Sequence, residues 1–315
     1  MSDGVTPTAT PEGVGGPTDD VVQPFQIEAS LLRGRMVRLG PMLDTILGRH
    51  AYPDPVARLL GQTITLATVM ASGLKYEGVF TLQTKGDAAV PLMVADVTSD
   101  GDVRGYAKVD EDKLAELDES RVPEGEEVPA LLGNGYLAFT VDQKGAKDMY
   151  QGIVELEGDS LTECVQHYFR QSEQIDVGLK LHVDRREAGW RAGGLMVQRL
   201  PDPEKRPAAS DREDDWRRTM ILMDSATEAE LSDPRLVPNG LLYRLFHEDG
   251  VRVFPPTTLR SGCRCSRERV AQVLSTIPRS DLEEYKIDGN VEMTCEFCNT
   301  TYYFDDDDLD RLHPQ

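Results

Sequence analysis

The sequence predicts an α+β fold in three parts: a large sheet-plus-helix domain over 23–200, a linker and helical middle region over 201–253, and a small terminal domain over 254–315. Three observations lead there. Short strand-like runs bounded by Gly, Asp and Asn fill residues 78–200, stripes of helical period precede and follow them, and four of the five cysteines fall after residue 260. Residues 1–22, rich in Gly, Pro, Thr and Asp with almost no large apolar residues before Asp20, are expected to form a disordered tail.

In chain order, Leu60, Ile64, Ala67, Ala71 and Leu74 recur at spacings of four and three, the stripe of an amphipathic or buried helix. Strands are expected at 78–84, 90–97, 103–107, 135–142 and 151–156, most of them ended by turn residues such as Lys85-Gly86-Asp87 and Gly133-Asn134-Gly135. Ser160 with Glu163 is a capping box that starts a helix running to about Gln174. Strands at 179–184 and 189–200 complete a largely sequential sheet with helices packed on it. Pro201 to Pro207 breaks the pattern as a linker, after which 211–225 and 233–247 are expected to be helices with apolar faces that need a partner. In the terminal part, 266–275 is expected to be helical, Ser280 with Glu283 suggests a second capping box, and 291–294 with 301–304 form a hairpin.

That hairpin carries Cys295 and Cys298 at its turn, and twenty-nine residues separate them from Cys263 and Cys265. Two Cys pairs across a loop are how chains usually supply four sulfurs to tetrahedral zinc. The first pair is tighter than most zinc knuckles, with only Arg264 between its thiols. Both sulfurs still reach one metal, and without it their closeness lets Cys263 and Cys265 join in a small, easily reduced ring. The segment has about sixty residues and few apolar ones, a size at which a core is marginal without a staple. Structural zinc contributes about 10–16 kcal/mol to folding of zinc-finger peptides, against about 5–15 kcal/mol of ordinary native stability. Oxidising these thiolates would therefore cost the segment its fold. A purely structural zinc ribbon and a thiol oxidoreductase are the alternatives, although neither pair has a strand–CxxC–helix setting.

A formal net charge of −21, with 55 acidic residues against 34 Lys and Arg, works against nucleic-acid binding, which needs clustered Lys and Arg, so no nucleic-acid partner is expected. No run approaches a membrane span, and cysteines without an apolar signal segment point to a reducing cytosol. No phosphate-binding, serine-hydrolase or zinc-protease motif is present. Gly193-Gly194 reads as a tight turn or close strand packing, Cys164 near His167 as a buried structural thiol, and Asp305 to Asp308 as a solvated turn leading into a helix. His50, His182, His247 and His313 show no ligand spacing.

Several stretches carry a family likeness: Phe169-Arg170-Gln171-Ser172-Glu173-Gln174, Pro91 to Asp96, Val103 to Ala107, Tyr150 to Val154, Gly193 to Gln198 and Cys263-Arg264-Cys265-Ser266-Arg267-Glu268-Arg269. From about residue 25 to the end the chain resembles the 33-kilodalton heat-shock protein family, redox-regulated holdase chaperones of the bacterial cytosol. The resemblance implies an ATP-independent chaperone, not an enzyme, kept inactive when reduced by one zinc ion on Cys263, Cys265, Cys295 and Cys298. It also implies Cys263–Cys265 and Cys295–Cys298 disulfides on oxidation, with zinc release, capture of unfolding client proteins and a homodimer in the active state. For Cys164 and the tail it implies no role.

Overall fold

In the computed structural model, residues 19–30, 32–117, 122, 125–146, 149–199 and 209–313 are described. The expected tail up to residue 18 and the linker at 201–207 lie outside them. The large domain runs through β1 (Val21–Ile27), β2 (Leu32–Leu39), α1 (Pro41–Leu47), α2 (Asp54–Ala71), β3 (Gly78–Gly86), β4 (Leu92–Thr98), β5 (Asp102–Lys108) and α3 (Glu111–Glu116). It continues with β6 (Gly135–Gln143), β7 (Tyr150–Glu155), α4 (Leu161–Tyr168), β8 (Val177–Arg186) and β9 (Gly189–Gln198). The middle region holds α5 (Ala209–Asp224), α6 (Glu228–Ser232) and α7 (Pro238–Phe246), and is followed by β10 (Val251–Val253), β11 (Thr257–Thr258) and β12 (Arg260–Ser261). The terminal module is α8 (Arg267–Leu274), α9 (Arg279–Leu282), β13 (Lys286–Ile287), β14 (Asn290–Thr294), β15 (Thr301–Phe304) and α10 (Asp306–Leu312).

The α+β class holds, but the strands do not make one sequential sheet. They divide into two: β10-β1-β2-β9-β8 with β11 also on β1, and β12-β5-β4-β3-β6-β7. The divider is α2, which touches strands of both sheets and buries nearly every side chain, including Leu60, Ile64 and Ala67. A helix apolar on all sides can stand only between two covered faces. Leu74, the last residue of the predicted stripe, lies past the helix end and is exposed.

Val21 and Val22, inside the span expected to be tail, are buried in β1. Ser160 caps α4 by accepting from Glu163 N–H, but the box is incomplete, since the Glu163 carboxylate accepts from Asp159 N–H instead of Ser160; a π-type turn at Phe169–Glu173 then carries the chain to Gln174 in the left-handed region. Ser280 does not cap a helix. It lies within α9, whose first turn follows Pro278, and its hydroxyl bonds Asp281. The helix expected from 233 starts only at Pro238, because Pro fits a first turn and 233–237 form a bend.

The apolar faces of the middle helices find their partner on the outer side of the first sheet. Met223, Leu231, Leu241, Leu242, Leu245 and Phe246 pack on Phe25, Ile27, Leu32, Met36, Leu195 and Val197, and Phe246 stacks on Phe25 with ring centroids 5.7 Å apart. The chain then straps back over the large domain. Across the expected boundary at 254, β10 and β11 pair with β1, and β12 runs parallel to β5 in the other sheet.

Candidate metal centre

The strap delivers the first cysteine pair. Gly262 donates its N–H to the Val103 carbonyl at 3.0 Å, and a Cβ there would sit 2.6 Å from the Asp102 carboxylate, so only glycine lets the chain pass this close to β5. Cys263, Arg264 and Cys265 follow, and Ser266 caps α8 by accepting from Arg269 N–H. The second pair sits on the β14–β15 hairpin, as expected. Asn299 takes the left-handed backbone that closes the turn, and Cys295 N–H bonds the Thr300 carbonyl at 2.9 Å. Beneath the pairs lies a small core of Leu274, Leu282, Val291, Phe304 and Leu309.

The four predicted cysteines converge. Sγ of Cys263 is 3.7 Å from that of Cys295, Sγ of Cys265 is 3.3 Å from that of Cys298, and all four lie within 4.8 Å of one another. A tetrahedral site with metal–sulfur bonds of about 2.3 Å has sulfur–sulfur edges of about 3.8 Å, so the donor set fits such an ion. Among the described residues no other cluster of His, Cys, Asp and Glu comes together in this way. Cys164 is far from it in role: wholly buried on α4, it donates to the Glu157 carbonyl at 3.3 Å.

Electrostatics explain why the cluster suits a cation. Burial pushes the Cys265 thiol up to about 12, although the Tyr302 hydroxyl donates to its sulfur at 3.2 Å. At Cys298 burial acts the same way, but hydrogen bonds with Thr300 and the neighbouring sulfurs outweigh it and bring the thiol down to about 6. Four thiolates at this spacing repel, and only a bound cation makes all four stable at once.

Residues remote in sequence complete the surroundings, and spacing alone did not find them. His50 Nε2 lies 2.7 Å from the Glu296 carbonyl, Asn299 donates to the Arg49 carbonyl, and the Arg104 guanidinium stacks 3.8 Å over the Phe297 ring with Nη1 3.9 Å from Cys263 Sγ. Arg104 also pairs with buried Asp96 at 2.6 Å. The second knuckle is thus seated on the loop after α1 and on β5.

A family model described as Hsp33 protein matches residues 20–305. The chain belongs to the Hsp33 family. Among curated Hsp33 relatives, the 33 kDa chaperonin of Caulobacter vibrioides is 39% identical over 295 residues, covering 92% of this chain and 96% of the relative. That of Pseudomonas fluorescens is 35% identical over 298 residues, covering 94% of each. The crystal structure of the 33 kDa chaperonin from Thermotoga maritima overlays with a TM-score of 0.78 across 93% of this chain and 97% of that one, at 24% identity, which supports the shared fold. Hsp33 membership and these names support a chaperone. Among the described residues no helix is long and apolar enough to cross a membrane.

Proposed function

We propose that the protein is a redox-regulated, ATP-independent holdase that is inactive when reduced, with a single zinc ion held by Cys263, Cys265, Cys295 and Cys298. When bound, zinc keeps the four thiols deprotonated and cross-links the two knuckles. On oxidation, Cys263 joins Cys265 and Cys295 joins Cys298. Each S–S bond releases two electrons to an oxidant such as hypochlorite, which is reduced to chloride and water, and the cysteines then no longer hold the metal.

The observation that carries this is the continuity from the cysteines to the middle helices. Cys263 follows directly on the strap, and the strap follows α7, so a terminal module that unfolds loosens both. The segment from about Leu231 to Arg260 would come away from the first sheet. Phe25, Ile27, Leu32, Met36, Leu195 and Val197, now covered by the middle helices, would meet solvent as one apolar face, the kind of surface that captures unfolding cytosolic proteins. Active chains are expected to pair as homodimers.

Treating the reduced protein with hypochlorite should release the zinc and suppress aggregation of a heat-labile client. Metal retained with no gain in client holding sinks the switch. A Cys263→Ser, Cys298→Ser double variant should hold clients without oxidant; simple loss of function would favour a constitutive ribbon with a structural metal.

A further inference from the structure

We propose that Arg264, the one residue inside the first cysteine pair, docks the metal-binding module onto the large domain, so that the shape of the pair and the attachment of the module depend on the same three residues. The proposal deepens the redox reading above and rests on it for its biological meaning, though not for its structural test.

The sulfurs of Cys263 and Cys265 turn toward the second knuckle, whereas the side chain between them turns the other way and meets β4. There Arg264 Nη2 donates to Asp96 Oδ2 at 2.6 Å. Asp96 is only 3% exposed and belongs to the large domain. It also accepts from Thr81 Oγ1 at 2.6 Å and from Arg104 Nε at 2.7 Å. A buried carboxylate is tolerated only with partners of this kind, and here one cation comes from each domain. Arg104 closes the arrangement by lying over Phe297 of the second knuckle. Asp96 therefore binds the first pair directly and the second through Arg104. The backbone carbonyl of Arg264 is itself taken by Arg269 at 2.6 Å, which ties the pair to the start of α8. Longer spacing would free the intervening side chains from the geometry of the sulfurs. With one residue, a rearrangement of the pair moves the dock.

The test uses the full chain, reduced and supplied with zinc, and compares the parent with Arg264→Gln, Asp96→Asn and the double variant. Bound zinc is measured with a colorimetric chelator, and docking by hydrogen exchange at residues 295–299 and 49–52. Arg264→Gln should keep its zinc while exchange at these amides rises about ten-fold, as expected for loss of one charge-assisted hydrogen bond. The double variant should exchange no faster than Asp96→Asn alone. Unchanged exchange, or loss of zinc from the reduced Arg264→Gln protein, overturns the dock. Arg264 is a third exposed, so this variant decides the matter even where Asp96→Asn does not fold. Failure of the parent to hold clients after oxidation would overturn the redox reading and leave the exchange result standing.

Discussion

Arg38, with none of its surface exposed, donates a 2.8 Å hydrogen bond to the carbonyl oxygen of Leu236. The same guanidinium reaches the carbonyls of Asp233 and Glu230, so a charge on β2 is met by the backbone of α6 and of the bend before α7. Burial lowers its pKa to about 10, which leaves it charged at neutral pH. Replacing it by Met strips three carbonyls of their donor, and the attachment of the middle region should weaken by about 3 kcal/mol. Hydrogen exchange should quicken across 228–246 and leave the β3–β6 ladder unchanged. On the proposed function, the reduced variant should also show partial client holding. A uniform rise in exchange would mean that Arg38 supports the whole domain instead.

Gly193 on β9 offers a second way to loosen the same region. A Cβ at this position would lie 2.0 Å from the Leu231 carbonyl oxygen, a backbone atom of α6 that has nowhere to yield. Gly193→Ala should push α6 off the sheet at a cost of about 1–3 kcal/mol, the usual range for overpacking. Because it opens the region that Arg38 holds, combining it with Arg38→Met should cost less than the two separate effects together. Full additivity in the exchange of α6 and α7 would count against a shared opening unit.

Sequence reading served best where a local rule determines the outcome. The Gly193-Gly194 pair was legible as a tight turn or close packing, and the structure decides for packing: it lies within β9, where only a missing side chain lets the Leu231 backbone approach so closely. The hairpin with its CxxC and the Ser160 cap were legible from turn and capping chemistry confined to a few residues. The strands at 21–39 were not, because Pro24 and the Arg33-Gly34-Arg35 run break the alternation that marks a strand. Pro24 is tolerated because it faces the gap between β10 and β11, where no N–H is required, and that gap is made by residues more than two hundred positions later. Asp96, Arg104 and His50 escaped for the same reason: tertiary folding alone brings them to the cysteines.

Glu173 supplies a pH dependence with a definite sign. Its Oε1 accepts from Tyr150 at 2.6 Å and from Tyr168 at 2.5 Å, and these bonds hold its carboxyl below the usual carboxylate range. A depressed folded value means stabilisation that is present above the unfolded pKa of about 4.3 and lost as pH falls through the folded value. A Tyr150→Phe, Tyr168→Phe double variant removes both donors. Its melting temperature should therefore fall less than the parent's between pH 7 and pH 3. Equal losses would show that Glu173 does not contribute to acid unfolding.

Cys164 should take no part in the proposed switch. Burial foremost pushes its thiol up to about 11, so at pH 7 about one in ten thousand would be thiolate, the form that reacts. The unfolded, reduced chain offers five thiols to a thiol reagent. After hypochlorite treatment and unfolding without reductant, one should remain, and in a Cys164→Ala variant none. On the proposed function, that variant should still release its metal and gain client holding like the parent, because only the four clustered sulfurs would take part. A residual thiol that persists in Cys164→Ala, or zinc release that slows in it, would place Cys164 within the redox chemistry after all.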